Sequence, residues 1–93
     1  MADPFSLETP TLRDILIYID QQLARNDDDY KIAYSIAGLY SLPNIDRLRD
    51  DADLEDVLGL AGSLEIPRGS KASRDYDWRE LRASLDRLRA RIS

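Results

Sequence analysis

The sequence predicts an all-α protein, a compact bundle of four helices with room for a fifth, the last one amphipathic with a heptad-like seam. Three observations predict it. Apolar residues recur at spacings of three and four over several stretches, the period of one helix face. No stretch of useful length alternates apolar and polar residues as a half-buried strand would. Thr, Pro, Asn and Asp fall between the periodic stretches, where helices start and stop. Ninety-three residues make one domain, and 43% hydrophobic with 8% aromatic content predicts a thin, aliphatic core.

Residues 1–8 read as an N-terminal arm that Phe5 and Leu7 can anchor. Thr9-Pro10 predicts a helix start, with Thr9 at the N-cap and Pro10 in the first turn, where a missing N–H costs nothing. Leu12, Ile15, Leu16, Ile19 and Leu23 form one stripe, and Ile17 falls off it, pointing to a second contact. Asn26-Asp27-Asp28-Asp29 has two readings. As a break, Asp28 or Asp29 caps a second helix from Tyr30 to near Ser41. As a continuation, Leu12, Leu16, Ile19, Leu23, Asn26, Tyr30, Ala33, Ala37 and Tyr40 make one heptad seam with an Asn in it. The break is favoured, because adjacent aspartates and an Asn form helix interiors poorly.

A separate second helix is apolar nearly all round and belongs in the middle of a bundle. Pro43 ends it, and Asn44 is placed to cap a short helix carrying Ile45 and Leu48. Asp51 or Asp53 caps the next, whose stripe is Leu54, Val57, Leu58, Ala61 and Leu64. Gly59 and Gly62 share a flank of it, either to admit a neighbouring backbone or at a plain cost in helix stability. Residues 9–66 are thus an acidic helical body. Residues 67–74 are small, polar and basic, as in a flexible linker. Residues 75–93 form the final basic helix of the same domain, capped by Asp75 or Asp77, with its seam at Trp78, Leu81, Leu85, Leu88 and Ile92.

Charge divides along the chain. Residues 1–67 hold fourteen carboxylates against five basic side chains, and residues 68–93 hold eight basic side chains against four acids. An acidic body with a basic last helix suits docking, on itself or on a partner.

Cysteine and histidine are absent, which excludes disulfides, Ser–His and Cys–His nucleophile pairs, and zinc sites with His or Cys ligands. No apolar run matches a membrane span, and the start lacks the regions of a signal peptide, so a cytoplasmic protein with no membrane contact is expected. The acidic clusters do not fit a calcium loop. Counting from Asp51 puts Asp56 where the turn glycine belongs and Gly62 where the bidentate Glu belongs, and from Asp27 the fifth position is Lys31. No metal and no cofactor is predicted.

Leu12-Arg13, Ile19-Asp20 and Leu23, with Asp46 and Asp50 after a helix break, resemble the opening of the small all-helical chorismate mutases. That resemblance implies a dicarboxylate substrate held by several placed cations. Beyond Arg13 this chain offers only Arg25 and Lys31, at spacings that do not match, so no membership, catalytic residue or enzyme activity is assigned.

The expected function is a small acidic protein–protein interaction module, of the kind represented by inhibitors, immunity proteins and antitoxins that cover a basic partner. Its candidate contacts are Asp27, Asp28, Asp29, Asp50, Asp51, Asp53 and Asp56, with Trp78, Arg82 and Arg89 for a helix-mediated contact. Arg82 and Arg89 flank the seam at positions that select partners by charge. The two seams and thin core leave room for a homodimer. The alternative is a nucleic-acid-binding regulator using Arg68, Lys71 and Arg74, disfavoured because the arginines scatter round the last helix instead of gathering on one face. A carboxylate/arginine enzyme is the weakest of the three.

Overall fold

A computed structural model describes residues 3–92, and residues 1, 2 and 93 of the expected arm and final helix lie outside it. Five α-helices account for most of the chain: α1 (Leu12–Leu23), α2 (Asp29–Ala37), α3 (Ile45–Leu48), α4 (Ala52–Leu64) and α5 (Lys71–Ile92). Single 3₁₀ turns occupy Pro4–Ser6 and Gly38–Ser41. Of the described residues 74% are helical, and none is in a strand. No helix is long and apolar enough to cross a membrane. A radius of gyration of 12.6 Å matches the roughly 12 Å expected of a compact chain this long.

The break between α1 and α2 is real and spans the five residues 24–28. Ala24 closes α1 with its N–H on Asp20 O, and Asp28, with ψ at 143°, is extended and begins α2. Acids concentrated at the second helix's positive end are favourable there and unfavourable inside a continuous helix. The start of α1 differs from expectation. Thr11, not Thr9, is the N-cap, in a capping box with Asp14: Thr11 Oγ1 accepts from Asp14 N at 3.2 Å, and Asp14 Oδ2 accepts from Thr11 N at 2.9 Å. An acid three residues after Thr11 supplies that reciprocal bond, and Thr9 has Leu12 at the matching place.

The last helix also begins earlier than the cap at Asp75 or Asp77 would require. Ser70 caps it, accepting from Ser73 N at 3.1 Å, so Lys71 to Arg74 form its first turn and the connection shortens. The α4 cap falls at Asp51, whose Oδ1 accepts from Asp53 N and Leu54 N. Asn44 occupies the expected cap of α3 but makes no side-chain cap bond. Its Nδ2 instead donates to Pro10 O at 3.1 Å, fastening α3 to the entry of α1.

The core is aliphatic. It is built from Ile15 and Ile19 of α1, Ile32 and Ile36 of α2, Leu39 of the second 3₁₀ turn, Leu54, Val57, Leu58, Ala61 and Leu64 of α4, and Leu81, Leu85 and Leu88 of α5. Helices α4 and α5 run antiparallel as the central pair. Helix α2 lies on α4, while α1 touches both α2 and α5. The final seam is therefore buried inside its own chain, with Trp78 and Ile92 partly buried at its two ends. Ile17, off the stripe, is 37% exposed. A Cβ built on Gly59 or Gly62 meets nothing within 4 Å, so these glycines do not serve a close backbone approach. Helix α2 is sided rather than apolar all round: Ile32, Ala33, Ile36 and Ala37 face inward and Tyr34 faces out at 69% exposure.

Candidate functional site

Four of the candidate residues converge. Asp27, Asp29, Trp78 and Arg82, together with Leu23, Ile32 and Asp75, line a cleft of about 300 Å³ where the α1–α2 connection meets the first half of α5. Leu23, Ile32 and Trp78 give it an apolar floor, and Asp27, Asp29 and Asp75 stand as three carboxylates on its rim. The break between α1 and α2 is what brings Asp27 and Asp29 to this place, and the early start of α5 is what adds Asp75.

The side chains are held by specific bonds. Asp29 Oδ2 accepts from Arg74 Nη2 at 2.9 Å, from Arg74 Nε at 3.1 Å and from Trp78 Nε1 at 3.3 Å. Burial pulls the Asp29 carboxyl up, but the bonds from Arg74 and Trp78 outweigh it and hold the group below its ordinary range. Arg74 does more. It donates to the carbonyls of Leu64 at 2.9 Å and Ile66 at 2.8 Å, satisfying acceptors left at the end of α4. Asp27 accepts from its neighbour's backbone N–H at Asp28 and from Arg25, and both keep its carboxyl ionised at lower pH than usual. Asp75 pairs with Lys71 at 2.8 Å on the exposed surface. Arg82 makes no ion pair among the described residues and is the cation of this rim.

The remaining candidates are elsewhere. Asp28 lies 3.9 Å from Lys31 at the start of α2. Asp51 and Asp53 stand at the far end of the α4–α5 pair, where Arg91 approaches both, at 2.7 and 3.0 Å, and Arg87 approaches Asp53 at 3.2 Å. Burial raises the Asp51 carboxyl, and the bonds from Arg91 and the capped backbone lower it further than that, leaving a net depression. Arg89 pairs with Asp20 of α1 and with Asp86. Asp50 and Asp56 are exposed and have no side-chain partner among the described residues. Of the basic alternative set, Arg74 is occupied by Asp29 and the carbonyls, Lys71 by Asp75, and Arg68 is exposed.

The residues missed by sequence reasoning are Leu23 and Ile32 as cleft floor, Asp75 as a rim acid and Arg74 as the clamp. Asp29 and Arg74 are 45 positions apart, so no local pattern signals their pairing. Among the described residues no group of three or more acids is arranged to hold a metal ion. No family model, curated protein or solved structure matches the chain.

Proposed function

We propose that this chain is a small protein-binding module that receives a basic side chain of its partner in the cleft between α2 and α5. The observation that supports it is the set of three carboxylates around an apolar floor that includes Trp78. A lysine or arginine has the matching form: an aliphatic stem to lie on Leu23 and Ile32, a cation for the rim, and attraction to the indole face. Asp50 and Asp56, exposed and without partners among the described residues, extend the acidic surface available to a basic protein. Cytoplasmic action and the role of an inhibitor, immunity protein or antitoxin belong to the same proposal.

Trp78 is the only tryptophan, so its emission reports on the cleft directly. Titration with an arginine-rich peptide should change that emission saturably and weaken as salt is added. The Asp27→Asn, Asp75→Asn double variant, which leaves Asp29 and its clamp intact, should bind more weakly. No saturable change at low salt, or equal binding by the variant, would overturn the proposal.

A further inference from the structure

A basic side chain on its own does not complete the cleft between α2 and α5. Each of its three rim carboxylates already meets a cation of its own chain: Asp27 with Arg25 at 2.6 Å, Asp29 with Arg74 at 2.9 Å and Asp75 with Lys71 at 2.8 Å. A carboxylate has room for further donors, so all three can still take a guest cation. Arg82 lines the same cleft, is exposed, and pairs with none of these acids. Arg13, Arg47, Arg68 and Arg79 also lack ion pairs among the described residues, but none of them lines this cleft. Arg82 differs in its place: it is an unmatched cation beside acids that are matched by other groups. A guest that brings only a cation leaves it unmatched.

Helix α5 sets the order of these groups. Asp75, Trp78 and Arg82 stand three and four residues apart on one helix face, with the indole between the two charges. Two turns separate Asp75 from Arg82, about 10 Å along the axis. An extended arginine spans about 7 Å from its carboxyl carbon to its guanidinium carbon, and the side chains of Asp75 and Arg82 close the remainder. A volume of about 300 Å³ is at the small end of ligand clefts and suits one residue, not a folded segment. Cation and anion therefore come from the same residue, which makes it a lysine or arginine with a free α-carboxylate.

We infer that the occupant is the last residue of the partner chain, its α-carboxylate on Arg82 and its basic side chain over Trp78 toward Asp27 and Asp75. The inference rests on the proposed binding of a basic side chain in this cleft, and adds the chain end as what is recognised. Arginine's fork of N–H donors suits a carboxylate, and capture of a chain end by its carboxylate is a recurring mode of peptide recognition. Free arginine or lysine presents the same pair of charges, but adds an α-ammonium next to the carboxylate, close to the Arg82 guanidinium.

The test follows Trp78 emission of the full chain at low salt during titration with three probes. One is an acetylated tripeptide of two glycines and a terminal arginine with a free carboxylate, the second is the same peptide as its carboxamide, and the third is free arginine. The free-acid peptide should bind about three- to tenfold more tightly than the carboxamide, and more tightly than free arginine. In Arg82→Gln, whose exposed side chain holds no other element, the two peptides should bind alike. Arg79→Gln makes the same charge change on α5 outside the cleft and should keep the parent's preference. Equal binding of the two peptides by the parent would leave the basic-side-chain reading standing and overturn this one; binding of neither would overturn both. A preference that survives in Arg82→Gln would overturn the assignment to Arg82. Free arginine bound as tightly as the free-acid peptide would overturn the chain end as the source.

Discussion

Arg74 and Asp29, 45 positions apart, are joined by two hydrogen bonds from one guanidinium to a single carboxylate oxygen, at 2.9 and 3.1 Å. The same guanidinium reaches two carbonyls at the end of α4. Three segments, the start of α2, the end of α4 and the first turns of α5, therefore depend on one side chain. Its own exposure is only 16%. Arg74→Ala should lower stability by about 1–3 kcal/mol, because the carbonyls and Asp29 lose donors together. Arg74→Lys should recover little of it, since an ammonium cannot span the same fork of acceptors. Urea unfolding of the three proteins checks both statements.

Acid should destabilise the fold in a defined window. The folded carboxyls of Asp29 and Asp51 lie below the ordinary value of 3.8, so the stability they contribute is complete above that value and lost as pH falls through the folded one. Melting temperature should hold from neutrality to about pH 5 and fall below about pH 4. Asp51→Asn should be less stable than the parent at pH 7 and fall less steeply in acid. Thermal melts across that range provide the check.

Thr11→Ala should cost about 1 kcal/mol through loss of the α1 cap, while Thr9→Ala should cost close to nothing. Denaturation midpoints of the two variants separate the two possible starts of the helix.

Gly59→Ala and Gly62→Ala should each stabilise the protein by about 0.5–1 kcal/mol. Both positions lie inside α4, and the added methyl meets no atom within 4 Å. A fall in melting temperature for either would mean a neighbour approaches this flank.

Much of the fold was legible because it is written in local patterns. The stripe of α4, its Asp51 cap and the seam of α5 follow from periodicity and capping chemistry. The break at residues 26–28 follows from the helix-forming weakness of Asn and Asp. The start of α1 was misplaced by two residues because Thr9 and Thr11 are both chemically able to cap, and only the reciprocal bond from Asp14 decides between them. The basic stretch before Asp75 looked like a linker because nothing in Lys71–Arg74 is apolar; Ser70 and the anchored Arg74 make it helical. The cleft was half visible, through Asp27, Asp29, Trp78 and Arg82, but its assembly is a matter of distant pairing that sequence spacing does not record.

The placement of the final seam has a consequence for biosynthesis. Leu81, Leu85 and Leu88 complete a core whose other walls come from α1, α2 and α4. A nascent chain that has released the first four helices still lacks that wall, and at about 5–20 residues per second the remainder takes on the order of seconds to appear. Throughout that interval an oily surface on α1 and α4 faces water or a chaperone. Closure then occurs late, when α5 arrives and brings Arg74 and Arg91 to opposite ends of α4.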